Sequence, residues 1–161
     1  MIAALVPPHL RAQTVVTYAV GYNPVGVAFD GTNIWVTNQG GNSVTKLLAS
    51  TGATEGTYPV GAYPCGIAFD GVNIWVTNSG SDSVTKLLAA TGAVVGTYPV
   101  GANPCDVAFD GSNIWVNDIW AANQTSNTVT KLLASTAATV GTYAVGGGCG
   151  IAFDGVNIWL V

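Results

Sequence analysis

The stretch GVAFDGTNIWVTN at 26–38 returns as GIAFDGVNIWVTN at 66–78, as DVAFDGSNIWVND at 106–118, and in part as GIAFDGVNIWLV at 150–161. Thr17-Tyr18, Thr57-Tyr58 and Thr97-Tyr98 mark the same 40-residue step, and Thr142-Tyr143 follows 45 residues after the third. A short unit repeated in tandem buries its apolar residues by stacking on its neighbours. A period near 40 is the length of one four-stranded propeller blade.

The second copy displays four strand-like runs. Run one is Gly66–Phe69. Asp70-Gly71-Val72-Asn73 follows as a hairpin signal, because Gly supplies a positive φ and Asp bonds its own turn backbone. Run two, Ile74–Asn78, is β-branched and aromatic. A Gly/Ser/Asp loop at 79–82 leads to run three, Ser83–Leu88, and the loop Ala89–Gly92 leads to run four, Val94–Val100. A helix across VTKLLAATGAV is the competing reading. Val84 and Thr85 favour a strand, and the Thr-Gly break comes too soon for a stable helix. The expected fold class is therefore all-β, a β-propeller of short antiparallel meanders.

Composition agrees with a sheet protein. Of 161 residues 49% are apolar and only 7% charged, so polarity rests on Thr, Asn, Ser and Gly. The net charge is −4, and Arg11, Lys46, Lys86 and Lys131 are the fixed cations, which argues against nucleic acid or an anionic membrane surface as partner. No apolar run reaches the length of a membrane helix, so no membrane insertion is expected. The opening MIAALVPPHLRAQ lacks a basic start and is interrupted by Pro7-Pro8, so it does not read as an export signal.

The pattern P-x-G-I-A-F-D-G, I-W-V-T-N, S-V-T-K-L, T-G, T-Y-P-V-G resembles the bacterial YVTN-type β-propeller repeat family, with NHL/YVTN-like blades. Trp35-Val36-Thr37-Asn38 and Trp75-Val76-Thr77-Asn78 match the namesake tetrapeptide with Trp in place of Tyr, and the third copy departs as Trp115-Val116-Asn117-Asp118. The resemblance covers nearly the whole chain. It implies that run one is the innermost strand and run four the outermost, and it favours a periplasmic or extracellular setting.

Aligning the N-terminus on the repeat places Met1–Val6 on the start of run three and Gln13–Val20 on run four. The expected blades are 23–60, 63–100, 103–145, and 148–161 joined with 1–20, so that the termini share one blade and close the ring by pairing. Closure removes exposed strand edges. Two chains forming one eight-bladed ring is the favoured expectation; a closed four-bladed monomer and a piece of a longer propeller are the alternatives.

Loops before run one and between runs two and three share one face, and the DGxN turns share the other with the loops between runs three and four. The first face carries most departures from the repeat: Tyr22, Tyr63, Asp82, Asn103, Asp106, and the expanded segment 117–127 with Asp118 and Trp120. These form the candidate face for a protein or carbohydrate, since loops on a rigid scaffold carry function. Packing of Ile119 and Trp120 over a blade edge or at a subunit contact is the competing reading. Asn123-Gln124-Thr125 is a glycosylation sequon by pattern.

Cys65, Cys105 and Cys149 recur at the start of run one, with Val25 in the first copy, so they are expected to ring the central channel. Three thiols are weak candidates for a soft metal, without C-x-x-C spacing and with the lone His9 outside the repeat. No cofactor is expected. The odd count at equivalent sites argues against a disulfide framework. Asp30, Asp70, Asp110 and Asp154 precede Gly in every copy, which points to turn geometry. Trp35, Trp75, Trp115 and Trp159 are read as inter-blade packing.

The expected function is a non-catalytic binding or assembly module. The competing class is a propeller lyase or hydrolase of the streptogramin-lyase or lactonase type, which needs His or clustered acids in the channel; the repeats contain no His.

Overall fold

The computed structural model describes residues 16–118 and 127–161, the side chains of 117 and 118 excepted. Three four-stranded antiparallel sheets follow one another: β1 (Pro24–Phe29), β2 (Asn33–Asn38), β3 (Ser43–Leu48) and β4 (Thr54–Pro59); β5 (Pro64–Phe69), β6 (Asn73–Asn78), β7 (Ser83–Leu88) and β8 (Val94–Pro99); β9 (Pro104–Phe109), β10 (Asn113–Asp118), β11 (Thr128–Leu133) and β12 (Thr139–Ala144). A two-stranded ribbon, β13 (Ile151–Phe153) and β14 (Ile158–Leu160), comes last. Each sheet is a meander in sequence order, and the VTKLL segments are strands. Run one begins at Pro64, two residues earlier than expected, because a strand's first position needs no backbone donor. Run four ends at Pro99.

Inner strands β1, β5, β9 and β13 neighbour one another in order, so the sheets stand as blades around one axis in a propeller-like arc. The first seam buries Trp35 and Val44 against Ile74, Val76, Leu87 and Ala89 of the next blade. The second buries Trp75 and Val84 against Val107, Ile114, Val116 and Leu132. Trp35 and Trp75 therefore each belong to one blade and pack into the next, as the repeat implied, whereas Trp159 is largely exposed.

The arc is open. Val27 of β1 is 66% exposed, whereas its equivalent Val107 is 5% exposed. At the other end Trp159 is 59% exposed, whereas Trp35 and Trp75 are fully buried. Residues 16–20 form no strand, and the Tyr18 ring lies against Gly52 as Tyr58 lies against Gly92 in the next blade. They occupy the place of an outer strand preceding β1. The ribbon β13–β14 thus lacks outer strands among the described residues, and Met1–Val6, aligned on the start of run three, lies outside them.

Candidate functional site

The two loop faces form as expected. Gln39 N–H donates to the Asn23 carbonyl at 2.9 Å and Gly40 N–H to that of Tyr22 at 3.1 Å. On the opposite face, Ala49 N–H bonds the Thr32 carbonyl at 3.1 Å.

On the first face, Asn42 and Asp82 work across blades. Asn42 Oδ1 accepts from Tyr63 N–H, and Asp82 Oδ1 accepts from Asn103 N–H, each at 2.9 Å. Asp82 is thus a capping residue for the following blade. The residues in equivalent positions before the inner strands, Asn23, Tyr63 and Asn103, have φ near +50°. Asn adopts this conformation readily, whereas Tyr63 does so at a steric cost. The Tyr63 ring covers Gly80, and the Tyr22 ring covers Gly40. Both tyrosines remain accessible, at 59% and 79% exposure. The insertion 119–126, with Trp120, and the Asp118 side chain lie outside the described residues.

The repeated carboxylates sit on the other face, and each is committed to its own hairpin. Asp30, Asp70 and Asp110 accept the indole N–H of Trp35, Trp75 and Trp115, each at 2.7 Å, and also the backbone N–H groups of their turns. Asp154 repeats this with Trp159 at 2.6 Å. Burial alone would raise the Asp110 carboxyl, but the bonds from Trp115, Asn113 and Ser112 outweigh it and bring its pKa to about 2. The lysines complete the motif by lying over the same indoles: Lys46, Lys86 and Lys131 stand 5.4, 4.9 and 4.5 Å from the ring centroids. The Asp-to-Trp bond was missed in the sequence reading, although both residues recur five apart in all four copies.

The inner wall of the arc gathers Val25, Gly26, Cys65, Gly66, Cys105, Asp106, Cys149 and Gly150 around a concavity of about 250 Å³. A register shift between Pro24 and Val27, repeated between Pro64 and Ile67, places Val25 and Cys65 in a bulge, a device that re-aims side chains. Threonines tie the inner strands together: Thr37 Oγ1 donates to the Cys65 carbonyl at 2.9 Å and Thr77 Oγ1 to that of Cys105 at 3.1 Å. In the third blade Asp106 replaces the glycine, and its carboxylate accepts from Val107 N–H at 2.9 Å and from Ile151 N–H at 3.2 Å. Asp106 is a latch between the third and fourth blades.

The cysteines correct the sequence reading. Cys105 and Cys149 form a disulfide with Cα atoms 5.7 Å apart, and Cys65 is free. An odd cysteine count speaks against a disulfide only where the positions are equivalent. Cys149 instead follows Gly146-Gly147-Gly148 and precedes β13, outside any strand, so it can approach Cys105. Among the described residues no group of three or more His, Cys, Asp or Glu is arranged to hold a metal ion.

Neither a protein-family model nor a curated protein matches the sequence. Solved structures do match the fold. Hydrazine synthase from Kuenenia stuttgartiensis superposes with a TM-score of 0.69 at 23% identity, over 83% of this chain and 39% of that one. A functionally unknown protein from Desulfotomaculum acetoxidans gives 0.67 at 20% identity, over 82% and 45%. This chain therefore spans less than half the length of either, and the likeness is one of fold.

Proposed function

We propose that this chain is a non-catalytic propeller module of the YVTN type, completed into one eight-bladed ring by a second copy, with the Tyr22 and Tyr63 face offered to a protein or carbohydrate. The observation that carries the reading is the complementarity of the two open ends. At the first two seams a Trp inserts into the front of the next blade. Among the described residues, Trp159 at one end has no such front to enter, and the blade carrying Val27 and Phe29 at the other end has no preceding Trp. The end of one copy is thus chemically what the start of another accepts. Two copies arranged by a two-fold axis make two identical seams and leave no open end. A non-catalytic role is supported by the commitment of every repeated carboxylate to a Trp and a turn.

Light scattering of the full chain at micromolar concentration is expected to give twice the chain mass of 16.3 kDa. A compact monomer with a cooperative melt would overturn the two-copy ring.

A further inference from the structure

We propose that the three channel cysteines form an internal thiol–disulfide exchange site, in which the bridge between Cys105 and Cys149 moves to Cys65 and Cys105. Three observations carry this. First, all three line the same concavity. Second, Cys65 and Cys105 stand at the same place in adjacent blades, tied by matching Thr-to-carbonyl bonds of 2.9 and 3.1 Å. Cys105 already bridges Cys149, Cα to Cα 5.7 Å. On its other side the strand of Cys65 runs in close contact with that of Cys105: a Cβ on Gly66 would lie 2.6 Å from the Asp106 Cα and 2.8 Å from the Cys105 carbonyl oxygen. Third, the order of blades around the arc places Cys105 between the other two. Displacement at sulfur runs along the line from nucleophile through the attacked sulfur to the leaving sulfur, and the middle position is where that attacked sulfur must be.

The step needs no outside oxidant. Cys65 gives its proton to solvent, and its thiolate electron pair forms the new bond to Cys105 Sγ. The old bond breaks, its pair leaves on Cys149 Sγ, and Cys149 takes up a proton. One disulfide and one thiol remain. What changes is the seam that is stapled. The bridge leaves the fourth blade, a two-stranded ribbon, and joins the second and third blades, which already share a buried core. Exchange therefore loosens the end blade without any change in overall oxidation state.

The charged surroundings set its pH dependence. Strands β1, β2 and β6, packed against β5, carry no charged residue, and Asp106 of β9 is the charge acting on Cys65 among the described residues. Burial pushes the Cys65 thiol up, and the Asp106 carboxylate adds to the rise. Thiolate is scarce at neutral pH, so exchange quickens about tenfold per pH unit while the thiol remains mostly protonated.

The test uses the oxidised full chain without added thiol, held at pH 7 and at pH 9, then quenched with N-ethylmaleimide and mapped by peptide mass spectrometry. The label is expected on Cys65 first and then increasingly on Cys149, faster at pH 9, with Cys105 unlabelled and circular dichroism unchanged. Label confined to Cys65 at both pH values would overturn the proposal. So would a rate that rises with protein concentration, since that means exchange between molecules. A second arm uses Cys149→Ser and Cys65→Ser, each oxidised with glutathione disulfide. The first should form a Cys65–Cys105 bridge and the second a Cys105–Cys149 bridge. A folded Cys149→Ser protein that forms no bridge shows that the two sulfurs do not meet, and sinks the idea.

Discussion

Gly92→Ala is expected to destabilise the protein far more than Ala137→Gly changes it, although the two positions are equivalent in the repeat. Both occupy the turn between the third and fourth strands of a blade, and both are left-handed, with φ of +74° at Gly92 and +60° at Ala137. A Cβ on Gly92 would run into the ring of Tyr58 from the preceding blade. The left-handed conformation costs an alanine about 1–2 kcal/mol. Forcing a packed ring aside adds about 1–3 kcal/mol. Together these give a loss of about 2–5 kcal/mol. At position 137 evolution has already placed the methyl. There the Tyr98 ring packs against the buried cluster that includes Ala137.

Removing the Ala137 methyl relieves about 1–2 kcal/mol of backbone cost. It also forfeits about 0.8 kcal/mol of burial, since the methyl belongs to the core, and about 0.4–1 kcal/mol through the freer unfolded chain. The net change lies within about 1 kcal/mol of zero. Urea unfolding followed by Trp fluorescence, at one fixed protein concentration, measures both. The Gly92→Ala midpoint should fall by about 1 M or more with an unchanged slope. Adding Tyr58→Ala should recover the steric part, so the double variant is less destabilised than the sum of the singles. A Gly92→Ala midpoint equal to that of the parent would refute the reasoning, because both the turn conformation and the ring contact would then be negligible.

Acid should expose the Asp-to-Trp bonds. The folded pKa of Asp110 lies below its ordinary value, so its contribution is present above the unfolded value near 4 and is lost as pH falls towards about 2. Trp emission should shift red in that window, and Asp110→Asn should flatten the stability-versus-pH curve there; an unchanged curve would remove Asp110 from the account. Trp75→Ala should cost about 3–5 kcal/mol in unfolding experiments. Trp159→Ala should instead lower the mass seen by light scattering, and equal losses of stability from the two would count against Trp159 as a seam residue.

The period, the strand order and the division of loops between faces were legible because each copy states them again. What the sequence hid were relations between copies. Asp70 and Trp75 each had a sufficient local explanation, a turn and a core residue, so nothing forced the bond between them into view. Asp106 stood out as a departure from glycine, but its partner, Ile151 N–H, lies 45 residues away in the next blade. The disulfide was hidden for the opposite reason. Repeat equivalence suggested that three cysteines behave alike, whereas the glycines before Cys149 release it from the position its counterparts hold.

These departures gather at one seam. The first two seams are made alike, by a buried Trp, a full front of the next blade and a threonine bridging to the next inner strand. At the third seam the next blade is, among the described residues, a two-stranded ribbon, and it offers less apolar surface for Trp115 to enter. A poorly covered Trp forgoes part of the roughly 3–5 kcal/mol that full burial is worth. The Asp106 carboxylate bond to Ile151 N–H restores about 1.5–3 kcal/mol, as hydrogen bonds to charged groups do. The Cys105–Cys149 bridge, closing a separation of 44 residues, restores about 4 kcal/mol on the chain-entropy estimate. Together they exceed what the Trp forgoes. The polar latch and the covalent staple therefore take over at the one internal seam where apolar packing falls short, and reduction of the bridge should loosen this seam before the other two.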